Sequence, residues 1–120
     1  MAKKTIIHEM KLDKASFENL EKGTKTFELR LMDEKRQSLK LGEQIKFRLF
    51  PTLDHACMME IIGLLHYPDF DTLLNDVEMS WLGLDDDKKD WQKNVMHQIY
   101  TPEEEKEYGV LGIRLQKVSQ

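Results

Sequence analysis

Three side chains of chemically useful type fall within one short stretch, Gly23-Thr24-Lys25-Thr26-Phe27-Glu28-Leu29-Arg30. An ammonium at Lys25, a carboxylate at Glu28 and a guanidinium at Arg30 are the groups with which proteins bind phosphate, read a base edge or move a proton. Their parity says how a strand would hold them. Phe27, Leu29 and Leu31 are apolar while Thr26, Glu28 and Arg30 are polar, the period of a half-buried strand. At roughly 3.3 Å per residue, Glu28 and Arg30 leave the same face about 7 Å apart. Alternation predicts that this is the open face, so that replacing Arg30 should affect binding more than folding. Lys25 stands three residues before Glu28 and points the other way in an ideal strand; only a twist or bulge after Gly23 brings the two together. Two readings of the charged face stay open, a solvated surface and a site.

Other polar and aromatic residues are candidates to complete a site. Arg36 and Lys40, in the charged connector that follows the strand, could reach phosphate, and Tyr67 or Tyr108 could stack on a base. Residues 22 to 48 hold eight cations (Lys22, Lys25, Arg30, Lys35, Arg36, Lys40, Lys46, Arg48) against four anions (Glu28, Asp33, Glu34, Glu43), although the net charge of the chain is −4. That balance excludes a protein that coats nucleic acid non-specifically and fits a local basic cleft for a nucleotide or a short single strand. The sequence has no phosphate-cradling glycine loop and no Gly-x-Ser-x-Gly elbow. Its one cysteine, Cys57, opens an apolar run and reads as a core residue, and its four histidines have no metal-ligand spacing, so no metal or cofactor is expected.

The elements that must position these residues follow from periodicity. Thr5 to Lys11 alternates as a strand, and Asp13 caps a helix that runs to Lys22 and stops at Gly23. After the strand with the charged residues, Met32 to Lys40 is read as connector. Gln44 to Phe50 alternates cleanly and should pair antiparallel with the long apolar run Cys57 to Tyr67, where Gly63 marks a bulge or bend. From Pro68 the period becomes helical. Phe70, Leu73, Leu74 and Val77 share a face after an Asp cap, and a second helix follows Leu84 with Trp91, Val95 and Ile99 on its packed face. Thr101 and Pro102 open a last short helix, and Gly109 to Val118 returns to strand. Strands at both ends with helices in blocks predict an α+β fold.

The same sequence resembles the ASCH domain family. The resemblance rests on G-x-K-x-x-E-x-R, then Asp33-Glu34-Lys35-Arg36, then Lys40-Leu41-Gly42-Glu43-Gln44-Ile45-Lys46-Phe47, then Tyr108-Gly109-Val110-Leu111-Gly112-Ile113, in that order from about His8 to about Leu115. It implies one domain over residues 1–120, a PUA-like mixed or antiparallel β-barrel with short helices packed outside, and a cleft beside the motif. It also implies RNA or a nucleotide-like ligand as partner, with Lys25, Glu28 and Arg30 of the motif at the cleft; Arg36, Lys40, Tyr67 and Tyr108 join them as binding candidates on their residue types alone. Some members of the family act as amidohydrolases on acylated cytidine with a lysine, a threonine three residues later and an acid near the helical insert. Here Lys25 matches the lysine and Asp85 is placed as the acid, but Glu28 stands where the threonine would be and offers no hydroxyl nucleophile. A binding module is therefore expected first. A hydrolase using Lys25 with Glu28 or Asp85 comes second, and a protein-interaction domain with an acidic helical face third.

Composition sets the remaining bounds. A chain that is 40% hydrophobic and 33% charged suits one folded domain with its own core. No apolar run approaches the roughly 18 residues that span a membrane. The first few residues offer too short an apolar stretch for a leader. With the single cysteine, these features predict a cytoplasmic protein, of an oligomeric state the sequence does not set.

Overall fold

The computed structural model describes residues 5–118; residues 1–4, part of the stretch read above as too short for a leader, lie outside them. Five strands form one sheet: β1 (Ile7–Leu12), β2 (Phe27–Leu31), β3 (Gln44–Leu49), β4 (Ala56–Tyr67) and β5 (Val110–Lys117). Their order is β1-β3-β4-β5-β2, with β1 parallel to β3 and the other neighbours antiparallel. The two edge strands are thus β1 and β2. Arg30 on β2 donates from Nη2 to the Lys11 carbonyl on β1 at 2.8 Å, so the sheet curls until its edges meet through a side chain. The result is a mixed half-barrel.

Local chemistry explains most of the boundaries. The first helix, α1 (Lys14–Lys22), starts where the Asp13 carboxylate accepts from the Ser16 N–H, and it ends where Gly23 turns left-handed at φ 83°. Phe17 and Leu20 on its inner face are buried. The expected irregularity falls between Ile61 and Gly63, where Ile62 has no partner in the β4–β5 ladder and Gly63 resumes it opposite Arg114. After β4 come α3 (Phe70–Asp76), a 3-10 turn at Met79–Leu82, another at Asp86–Lys88, α4 (Lys89–Ile99) and α5 (Pro102–Tyr108). Thr101 and Glu104 close a reciprocal capping box at the start of α5.

Three expectations need correction. The segment read as connector contains a short helix, α2 (Glu34–Gln37), because the Asp33 carboxylate caps the Arg36 N–H. In β1 the buried residues are Met10 and Leu12, while Ile6 and Ile7 are exposed, so the strand sits later than the one read at Thr5 to Lys11. On α4, Trp91 and Ile99 are exposed rather than packed, and Met96 is the buried residue.

The core lies on both faces of the sheet. One cluster joins Phe17 and Leu20 of α1 to Ile45, Phe47, Met59, Ile61, Leu111 and Ile113. The other joins Phe27, Leu29 and Leu31 of β2 to Phe70, Leu73 and Leu74 of α3, to Met79 and Leu82, and to Met96 of α4. Phe27 reaches this second cluster by crossing Gly112 on β5, where an added Cβ would stand 2.2 Å from its ring. Among the described residues no helix is long and apolar enough to cross a membrane.

Candidate functional site

The seam between the two edge strands opens into a cleft of about 410 Å³. Its floor is Lys25, Glu28 and Arg30. One wall is the end of β1 with the start of α1, including Lys11, Asp13, Ser16 and Asn19, and the facing wall is α4, with Trp91, Gln92, Val95, Ile99 and the following Tyr100.

Burial of the charged residues departs from the open face that alternation predicted. Glu28 is 6% exposed and Lys25 7%. Glu28 and Arg30 are register partners of Ile113 and Leu111, which belong to the cluster beneath α1, so the curled sheet turns this face of β2 inward rather than to solvent. Lys25 and Glu28 also converge, although their spacing argued against it. Lys25 precedes the strand, in a stretch where its N–H bonds the Asn19 carbonyl and the Thr26 N–H bonds the Trp81 carbonyl, so strand parity does not govern it.

The carboxylate is fully engaged. Glu28 Oε1 accepts from Lys25 Nζ at 3.0 Å and from the Leu29 N–H at 3.2 Å. Its Oε2 accepts from Arg30 Nε at 3.0 Å and Nη2 at 2.7 Å. Four donors meet the roughly four lone-pair positions of a carboxylate, which leaves no acceptor for a ligand. Burial pushes the Glu28 pKa up, but the charges of Lys25 and Arg30 outweigh it and hold the group at about 2. Glu28 is therefore an anion at any physiological pH. Burial opposes the charge of Arg30 in the same way, and Glu28 overcomes it and raises the arginine pKa.

What the cleft offers a ligand is donors. Among the described residues Lys25 Nζ gives a hydrogen bond only to Glu28 and Arg30 Nη1 gives none, so N–H groups of both remain for an incoming carbonyl or phosphate oxygen. Tyr100, whose phenol pKa burial pushes up, and the half-exposed Trp91 add aromatic surface.

The remaining sequence candidates are dispersed. Arg36 pairs with Asp33 at 3.0 Å and lines a second hollow, on the other side of Arg30. Lys40 is exposed in the turn before β3, where its N–H bonds Glu43. Tyr67 and Tyr108 line a third hollow with His66 and Glu105, and the Tyr67 hydroxyl bonds Asp76. Asp85 is exposed before the Asp86–Lys88 turn and is not among the residues around the cleft. Sequence reasoning missed Asn19, Gln92, Trp91 and Tyr100 as cleft residues. Of these, Trp91 carried a signal, since a large aromatic on a mostly polar helix needs a partner, but that signal was assigned to packing. Among the described residues no three His, Cys, Asp or Glu side chains gather to hold a metal ion.

The chain matches no family model and no curated protein. Solved structures do match. The hypothetical protein PH0355 superposes with a TM-score of 0.80 at 28% identity, over 94% of this chain and 100% of that one. Protein PF0455 from Pyrococcus furiosus superposes with a TM-score of 0.67 at 25% identity, over 96% of this chain and 100% of that one. ASCH from Zymomonas mobilis, at 12% identity, gives a TM-score of 0.65 over 92% of this chain and 67% of its own. Identity that low speaks for the backbone alone, and the backbone it speaks for is the mixed half-barrel with short outer helices: this chain has an ASCH-like fold.

Proposed function

We propose that the cleft beside G-x-K-x-x-E-x-R binds one nucleotide unit, free or within single-stranded RNA, in the cytoplasm. The observation that carries this reading is the pairing of a donor-rich cationic floor with an aromatic wall. Lys25 and Arg30 are fixed by Glu28 with N–H groups to spare, and Trp91 and Tyr100 stand on the facing side. Pyrimidine and purine carbonyls accept from such donors, and any base presents a π-face to an aromatic ring. A volume of about 410 Å³ lies within the size range of small-ligand sites. In this reading Glu28 holds the two cations in place, while Asn19 and Gln92 supply the amides that distinguish one base edge from another.

Binding is favoured over hydrolysis on a physical ground. A general base works best with a pKa near the working pH, and Glu28 is held at about 2 with its acceptor positions filled. The other acid considered, Asp85, does not line the cleft.

The test is an NMR titration of the labelled protein with cytidine, uridine, adenosine and guanosine. Perturbed resonances should map to Asn19, Arg30, Trp91 and Tyr100, and Trp91→Ala should abolish them. Resonances unmoved by every nucleoside at millimolar concentration would defeat the proposal.

A further inference from the structure

The second hollow, on the far side of Arg30, encloses about 440 Å³ and has a lining dominated by cations. Lys11, Arg30, Lys35, Arg36 and Arg48 face a single carboxylate, Glu9, on a chain whose net charge is −4. These cations come from four elements, β1, β2, α2 and β3. Lys11 and Arg48 are register partners across the parallel β1–β3 ladder. Like charges on neighbouring strands oppose folding unless an anion lies between them. Glu9 accepts from Arg48 Nε at 2.6 Å, and among the described residues Lys11 and Lys35 make no ion pair. Arg36 keeps a buried Nε with no partner. With Arg30 paired to Glu28, Arg36 to Asp33 and Arg48 to Glu9, the surplus positive charge of this hollow is that of Lys11 and Lys35.

Position says what the charge is for. Lys11 and Arg30 line both the cleft and the basin, so one opens onto the other across the Arg30 guanidinium. We propose that the basin seats the phosphodiester backbone of a single-stranded RNA, one of whose bases occupies the cleft. This rests on the nucleotide reading of the cleft and extends it: the ligand is a strand rather than a nucleoside. Three guanidiniums suit phosphate, which takes paired N–H donors. Lys11 and Lys35, the two cations without a carboxylate partner among the described residues, together exceed the single charge of one phosphodiester.

The experiment compares cytidine, cytidine 5′-monophosphate, inorganic phosphate, a short single-stranded RNA and poly-glutamate. Each is titrated into the wild type, the Lys35→Gln/Arg48→Gln double variant and the charge control Lys106→Gln, whose site lies on α5. Over a range from about 50 mM to about 200 mM salt, RNA affinity should fall with a slope set by the phosphates neutralised, about 0.7 per phosphate for a single strand. The double variant should flatten that slope by roughly 1 and weaken RNA binding about tenfold while leaving cytidine unaffected. Lys106→Gln should match the wild type.

The proposal is overturned if RNA binds no tighter than cytidine, or if the salt slope survives in the double variant. It is also overturned if inorganic phosphate or the monophosphate accounts for the whole gain, which would mark a single-phosphate seat. Competition by poly-glutamate equal to that by RNA would mark an acidic-peptide site and overturn it as well. RNA binding that depends on Lys35 and Arg48 without any cytidine binding would remove the base cleft and leave the basin standing.

Discussion

Glu28 and Glu9 sit on the two edge strands of the same sheet, and each accepts from an arginine at under 3 Å, 2.7 Å from Arg30 and 2.6 Å from Arg48. By distance the pairs are equivalent. By environment they differ: the Glu28 side chain is 7% exposed and that of Glu9 58%. Glu28 also takes four hydrogen bonds and holds a second cation, whereas Glu9 is bonded to Arg48 alone among the described residues. A surface ion pair gives up little when broken, because water and salt replace the partner. A buried carboxylate between two cations cannot be removed so easily, because the charges left behind have lost their water and their counter-ion.

The comparison is broken most directly by removing each carboxylate. Glu28→Ala should lose about 3 to 5 kcal/mol of stability, since it leaves Lys25 and Arg30 buried without an anion. Glu9→Ala should leave the unfolding midpoint unmoved. Urea denaturation followed by circular dichroism measures both, and equal effects would show that burial does not decide the difference.

Acid sharpens the same contrast. The folded-state pKa of Glu28, about 2, lies below its ordinary value of 4.5. Its contribution is therefore fully present above about pH 4.5 and is lost as the pH falls toward 2. The difference corresponds to on the order of 3 kcal/mol. Stability measured from pH 6 down to pH 2 should decline in the wild type over that window and more shallowly in Glu28→Gln. Parallel curves would mean that another group carries the acid response.

Arg30 lies between the extremes. The expectation that it faces away from the core, and so matters little to folding, gives way to its bonds to Glu28 and to the Lys11 carbonyl across the seam. Arg30→Ala should cost about 2 kcal/mol, the range for hydrogen bonds to charged groups, and should weaken nucleoside binding as well. Arg30→Lys should recover part of the stability through its charge but not the bridge to β1, a split that thermal melts and titrations resolve separately.

The smallest effects concern folding at Trp91 and chemistry at Lys25. Trp91 is 54% exposed, so Trp91→Ala should hold the unfolding midpoint while removing nucleoside binding. Acylated cytidine should survive incubation with the wild type unchanged. Turnover that disappears in Lys25→Ala would instead make the cleft catalytic.

Much of the scaffold was readable in the residues because local rules fix it. Asp13 and Gly23 bound α1, Thr101 and Pro102 start α5, alternation marks β3, and Gly63 marks the irregularity in β4. Each is a contact within a few residues or a period of two, so one dimension suffices. The ordered motif blocks pointed further, to the ASCH-like half-barrel that the superpositions support. The charged stretch at residues 25 to 30 was visible too, but not its environment. Alternation says that Glu28 faces away from Phe27 and Leu29; it does not say that the curled sheet turns that face toward the cluster beneath α1 and makes a strand surface into a cleft floor. Nor does it bring Lys25 to Glu28, which depends on Asn19 and Trp81 holding the lead-in to β2. Burial of a polar face, the aromatic wall of Trp91 and Tyr100, and the basin shared by β1, β2, α2 and β3 are relations between distant segments, and those were set only when the sheet curled and its two edges met at Arg30.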